Sequence, residues 1–143
     1  MKNIWILNQN AVPPKYGGIV RHHNIAKYMD KEKYNVYIIA SSAIHNSDIN
    51  LINNNSLYQI SNIDGVNYIH IRTNQYHGNG LKRVFNILQF FINARRSMKK
   101  LIAEVGKPDI IYASSPTPTT AVLGIQFAKK LKIKNIIEVR DLW

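Results

Sequence analysis

The chain has 143 residues, 45% hydrophobic and 19% charged, which suits one globular domain and excludes a disordered or fibrous chain. Lys and Arg number 19 against 8 Asp and Glu, so the formal charge is +11, a balance that attracts nucleic acid, anionic lipid and phosphorylated ligands alike. Cysteine is absent, which removes disulfide, thiolate and zinc-thiolate chemistry and makes the cytoplasm the expected location.

Ile4-Trp5-Ile6-Leu7 reads as a first buried strand. It breaks at Asn8-Gln9-Asn10, too soon for the apolar core of a secretory signal. Pro13-Pro14-Lys15-Tyr16-Gly17-Gly18 follows, then a helical pattern over 19–29 with Ile25, Tyr28 and Met29 near one face. Val36 to Ala40 is a second strand, and the Asn-rich stretch Ser41 to Ser56 reads as a mobile polar loop. Asp64-Gly65 marks a turn between Leu57–Ile60 and Val66–Arg72, a half-exposed hairpin or edge strand in which Ile69 and Ile71 alternate with His70 and Arg72.

Leu81 to Val105 is the longest predicted helix, closed by Gly106 and Pro108. Leu81, Val84, Phe85, Leu88, Phe91, Ile92 and Ile102 form its main apolar stripe, with Ile87 and Phe90 outside it. Lys82, Arg83, Arg95, Arg96, Lys99 and Lys100 bracket this greasy centre, so two readings stand: a core helix packed on a neighbour, or an amphipathic helix lying on a membrane through Lys82, Arg83, Phe90, Arg95 and Arg96. The apolar run Val84 to Ile92 is well short of the roughly 20 residues that span a bilayer. Further strands are predicted at Ile110–Tyr112 and Ile136–Val139, with a helix over Thr120–Leu131 whose inner face carries Val122, Ile125, Ala128 and Leu131. This alternation predicts an α/β, doubly wound, mostly parallel Rossmann-like sheet in one domain spanning 1–143.

In such sheets ligands bind at the carboxyl ends of the strands. Asn8 to Gly18, Ser114-Ser115-Pro116-Thr117 and Arg140-Asp141 all fall at such ends and are expected to converge. Gly17 and Gly18 let backbone N–H groups approach an anion at the start of a helix, with Arg21 or His22 adding charge or donors; a tight turn also needs glycine for its own sake. Neither G-x-G-x-x-G nor G-x-x-x-x-G-K-[ST] is present in this loop, so neither a standard dinucleotide site nor a P-loop is supported. Adjacent His22 and His23 point about 100° apart on a helix and cannot share a metal, and no metal site is expected. Either binds a ligand or is a solvated imidazole. Ser114 and Ser115 either donate to a ligand or cap the following helix, and Glu138 and Arg140 are either functional or a structural ion pair.

Ile4-Trp5-Ile6-Leu7 through Gly17-Gly18, then Pro108-Asp109-Ile110-Ile111-Tyr112-Ala113-Ser114-Ser115-Pro116, then Glu138-Val139-Arg140-Asp141-Leu142-Trp143, resemble the N-terminal half of retaining glycosyltransferases of family 4. The resemblance is to the bacterial branch that builds O-antigen and capsule, including N-acetylfucosamine transferases. It implies the GT-B architecture, in which two Rossmann-like domains face a cleft and the C-terminal one, absent from this sequence, holds most of the nucleotide-sugar. On that resemblance Gly17 and Gly18 face the donor diphosphate and Arg140 and Asp141 border the reacting sugar; Arg21, His22, Ser114, Ser115 and Glu138, from their own chemistry and position, are the further candidates for substrate binding. Many family members carry a histidine in place of Arg140.

The resemblance further implies a nucleotide-sugar as co-substrate, no cofactor or divalent metal, and a lipid-linked saccharide acceptor in cell-surface polysaccharide synthesis. The partners implied are an anionic inner-membrane surface and the missing C-terminal domain, without which this part is expected to be inactive. The alternative from the residues alone is a Rossmann- or flavodoxin-like binding module for a phosphorylated ligand or nucleic acid. The basic residues form no recognisable nucleic-acid recognition element, so no specific nucleic-acid partner is expected.

Overall fold

The computed structural model describes residues 1–18 and 20–140. Along them run β1 (Lys2–Leu7), α1 (Arg21–Tyr28), β2 (Tyr34–Ser41), β3 (Tyr58–Ile63), β4 (Val66–Ile71), α2 (Leu81–Val105), β5 (Ile110–Ser114), α3 (Pro118–Leu131) and β6 (Lys134–Glu138). The strands form one sheet in the order β3-β4-β2-β1-β5-β6. Every pairing is parallel except the β3–β4 hairpin, whose turn places Asp64 and Gly65 at positive φ. Leaving β3 aside, the chain steps outward from β1 through β2 to β4, then returns to the other side of β1 for β5 and β6. The architecture is consistent with a Rossmann-like fold, and strand order reverses between β1 and β5.

Strand periodicity divides the core. Trp5 and Leu7 of β1 join a cluster with Phe90 and Leu101 of α2 and Leu123 and Phe127 of α3. Ile4 and Ile6 join a second cluster with Ala26 of α1, Ile38 of β2 and Tyr68 of β4. β1, β2 and β5 place adjacent side chains in different clusters, which is why these segments read as continuous apolar runs rather than alternating ones.

Several faces differ from the sequence reading. On α1 the buried residues are His22, His23 and Ala26, while Tyr28 is exposed. On α3 Ala128 is buried as expected, but the other buried positions are Thr120, Leu123, Gly124 and Phe127 rather than Val122, Ile125 and Leu131, and Val122 is exposed. Only β3 of the hairpin is an edge strand; β4 lies between β3 and β2 and buries His70. The 41–56 segment is well tied: Ile44 and Ile52 are buried, Ala43 bridges Asn50, and Ser41, Ser42 and Asn50 hydrogen-bond Thr73.

The largest difference lies in α2, whose boundaries match the sequence while its orientation does not. Phe90, Ala94, Met98 and Leu101 face the core, whereas Leu81, Val84, Phe85, Leu88 and Ile92 are exposed; of the expected stripe Phe91 and Ile102 pack, half-buried, against the core. The reason is polar. The Asn86 side chain accepts from Gln9 Nε2 at 2.7 Å and donates to the Asn74 carbonyl at 2.6 Å. Gln89 Oε1 accepts from the Asn74 amide at 2.8 Å, and Asn93 donates to the Arg72 carbonyl at 2.8 Å. These amides tie the helix to the loop backbone at Arg72 and Asn74 and hold it with its bulkiest apolar stripe outward. Phe90 is therefore a core residue with 0% exposure and cannot touch a membrane; the exposed ring is Phe85.

Close seating of α3 depends on Gly124. A Cβ there would stand 2.7 Å from Ala113 Cβ and 3.3 Å from Asn135 Oδ1, both on neighbouring strands. Gly124→Val is expected to force the helix off the sheet and cost about 2 kcal/mol in urea unfolding, despite its better helix propensity. An unchanged midpoint would contradict this packing.

Candidate functional site

The crevice lies where the strand order reverses. A cavity of about 390 Å³ opens over the carboxyl ends of β1 and β5, lined by Asn8, Asn10, Gly17, Gly18, His22 and Arg140 among others. Three of the expected segments thus meet: the glycine turn, the loop after β5 through Pro116, and Arg140 after β6. Asn8 ties the first two together, donating from Nδ2 to the Ser115 carbonyl at 3.2 Å.

The glycine turn begins with a short 3-10 turn, Pro14–Tyr16, which Pro13 and Pro14 favour by fixing φ. Gly17 and Gly18 then take φ +75° and +84°, a conformation L side chains rarely adopt. The Gly17 N–H donates to the Pro14 carbonyl at 3.0 Å, so it closes the turn rather than facing a ligand. A Cβ on Gly18 would stand 3.2 Å from Val12 Cγ2, a tight contact added to the demand of its positive φ.

His22 sits on the first turn of α1 with 2% exposure, against the cavity, and is not the solvated imidazole that was one expectation. Burial, reinforced by the nearby Arg140 guanidinium, pushes its pKa down to about 4. It is therefore neutral at pH 7. Its Nε2 has no hydrogen-bond partner and lies 3.9 Å from Glu138 Oε2. His23 differs: its Nδ1 is 3.0 Å from the Tyr68 hydroxyl, inside the core.

Arg21, Ser114, Ser115 and Glu138, expected to bind substrate, are engaged with one another beside the cavity. Glu138 takes an ion pair from Arg21 and a 2.7 Å hydrogen bond from Ser114 Oγ. Burial works against the carboxylate, but hydrogen bonds from Tyr112, Ser114 and Arg21 outweigh it and hold its pKa below the usual range. The Ser115 N–H donates to the Glu138 carbonyl at 3.0 Å, and Ser115 Oγ accepts from the Arg140 N–H at 2.9 Å. This clasp fixes the path of the chain after β6 and so sets where Arg140 stands. Neither serine caps α3, whose N-cap is Thr117. Asp141 lies outside the described residues.

The cavity also holds residues the sequence reading did not single out. The chief one is His45, whose Nδ1 is 2.5 Å from the Tyr76 hydroxyl; Asn10 and Tyr16, which also line the cavity, belong to the expected 8–18 loop but were not picked out individually. Partial burial, with Arg83 nearby, lowers the His45 pKa. Its position after β2 was the available signal, since that loop also lies at a strand carboxyl end. Arg83, expected on a membrane face, instead turns to the Asn79 side chain and toward the His45–Tyr76 pair.

Among the described residues no cluster of His, Cys, Asp or Glu is arranged to hold a metal ion. Chemically the cavity combines a cation, a neutral imidazole and several amides, a set suited to an anion carrying hydroxyl groups. Compared with known proteins, the chain matches no family model and no curated relative.

Proposed function

We propose that this chain is the acceptor-side, doubly wound half of a retaining glycosyltransferase, binding a sugar diphosphate in the crevice between β1 and β5. The observation that carries this reading is the meeting of the glycine turn, a buried neutral His22 and Arg140 around one cavity at the strand-order reversal. In retaining sugar transfer, negative charge grows on the departing diphosphate while the anomeric carbon becomes cationic. Arg140 stabilises the phosphate charge, and the His22 imidazole, uncharged, hydrogen-bonds a sugar hydroxyl without adding a second cation near the anomeric centre. The donor nucleotide-sugar is held mainly by a second domain, and closure over the acceptor completes the site. The acceptor is a lipid-linked saccharide, used at the cytoplasmic side of a membrane.

Titrating the chain with a nucleoside-diphosphate sugar and with inorganic pyrophosphate, read by NMR, tests this. Signals of His22 and of the 8–18 loop are expected to move most. Arg140→Ala is expected to weaken both ligands about tenfold or more, the worth of a charge-assisted hydrogen bond. Perturbation confined to other surfaces, or an Arg140→Ala affinity equal to wild type, removes the basis for the reading. Duplex DNA binding with saturable affinity would favour the alternative of a basic binding module.

A further inference from the structure

The outward face of α2 is organised along its length as well as around its girth. At about 100° per residue, Leu81, Val84, Phe85, Leu88 and Ile92 fall within about 100° of arc, opposite the buried line of Phe90, Ala94 and Leu101. All five are exposed, Leu81 at 78% and Phe85 at 65%. They cover about 17 Å of helix. Arg95, Arg96 and Lys99 continue the same line over the next two turns, and all three are exposed. From Leu81 to Ala103 the helix carries no Asp or Glu.

The two halves also sit at different ends of the sheet. The apolar half starts at the carboxyl-end rim, where Asn86 holds Gln9 of the loop after β1 and Tyr76 holds His45 in the cavity wall. The cationic half runs back toward the opposite end, where the Val105 and Gly106 carbonyls accept from the Asn3 side chain.

We propose that this face of α2 docks on an anionic lipid bilayer, the Leu81–Ile92 half entering the acyl boundary and Arg95, Arg96 and Lys99 meeting lipid phosphates. Apolar anchors in line with cations, and no acid among them, match the depth profile of a bilayer surface. A second copy fits less well: laid parallel it sets cation on cation, and laid antiparallel it sets Arg95, Arg96 and Lys99 against leucine and phenylalanine. Docked this way, the chain presents its apolar half, and with it the crevice rim, nearest the lipid. The inference rests on α2 alone and not on the chemistry assigned to the cavity, so the pyrophosphate titration above and vesicle binding fail separately.

Co-sedimentation with vesicles of phosphatidylglycerol and phosphatidylethanolamine, against vesicles of phosphatidylcholine alone, provides the test. The chain is expected to bind the anionic vesicles. The double variants Phe85→Ser/Leu88→Ser and Arg95→Glu/Arg96→Glu are each expected to reduce binding about tenfold. Lys27→Glu/Lys31→Glu on and just after α1, an equal change of charge at exposed positions on the opposite side of the sheet, is expected to stay within about twofold of wild type. All substituted positions are exposed, and unchanged urea midpoints confirm folding of each variant. Three results would overturn the proposal: no vesicle binding, wild-type binding by Phe85→Ser/Leu88→Ser, or an equal loss in the α1 control. Self-association of the lipid-free chain that Phe85→Ser/Leu88→Ser abolishes, without vesicle binding, would assign the face to a second copy instead.

Discussion

Phe90→Ala is expected to lower unfolding stability by about 3 to 5 kcal/mol, while Phe85→Ala, five residues away on the same helix, changes it by no more than about 0.5 kcal/mol. Phe90 is fully buried among Trp5, Leu7 and Leu101, so truncation removes its transfer free energy and leaves a cavity that strands on one side and α3 on the other hold open. Phe85 already lies in water, so truncating it loses little burial, and alanine has the higher helix propensity. Urea titrations followed by far-UV circular dichroism measure both. Equal costs, or a larger cost at position 85, would mean that α2 is rotated by half a turn from the orientation described.

That contrast shows where the sequence was legible and where it was not. The existence and type of nearly every element could be read from it, and α2 to the residue, because apolar runs of four or five residues and Gly-Pro punctuation report local geometry directly. The convergence of the 8–18 loop, the 114–117 loop and Arg140 also followed, because parallel strands with crossover helices leave little freedom for their carboxyl ends. Helix rotation is a different kind of information. In α2 the core-facing line includes Asn86, Ala94 and Ser97, residues that a hydrophobicity count rejects, and the amides of Asn86, Gln89 and Asn93 matter because of loop carbonyls and amides far from them in sequence. In α1 two histidines occupy core positions for similar reasons, one hydrogen-bonded to Tyr68.

The site was legible at the level of loops more than of side chains. Ser114 and Ser115 stand where expected, but their hydroxyls serve the Glu138 clasp, a partnership across 24 residues that spacing alone does not reveal. Gly17 and Gly18 stand at the cavity, yet the Gly17 amide closes its own turn. His45 was overlooked because the Asn-rich stretch around it reads as spacer; only the pairing of that loop with Thr73 and Tyr76 brings it to the crevice wall. A polar loop in an α/β protein is better judged by which end of the sheet it crosses than by its composition.

Acid is expected to destabilise the fold well above the pH at which carboxylates protonate, through two histidines. His70 and His22 are each 2% exposed, and burial pushes both pKa values from about 6.5 down to about 4. His70 stacks on the Tyr68 ring at 5.3 Å between centroids, and its Nε2 has no hydrogen-bond partner. In the unfolded chain both imidazoles take up a proton as pH falls through 6.5, whereas in the folded chain they stay neutral until near pH 4. The unfolded state thus binds more protons throughout that window, and stability falls as pH falls. Above about pH 7 the two contribute no slope, and below about pH 4 the slope is exhausted. Each costs about 2 kcal/mol between pH 7.5 and pH 5. Glu138, whose pKa is depressed in the fold, loses its contribution only at lower pH, so it does not confound that range. The measurement is unfolding free energy by urea titration from pH 7.5 to 5 in the wild type and His70→Gln. The wild type is expected to take up at least two protons on unfolding near pH 5, with further fractional uptake from His23 and His45, whose pKa values burial also lowers, and His70→Gln is expected to take up one fewer than the wild type. A variant with the wild-type slope would show that His70 is protonated in the folded state or solvated, and the packing of β4 between β3 and β2 would then need a different account.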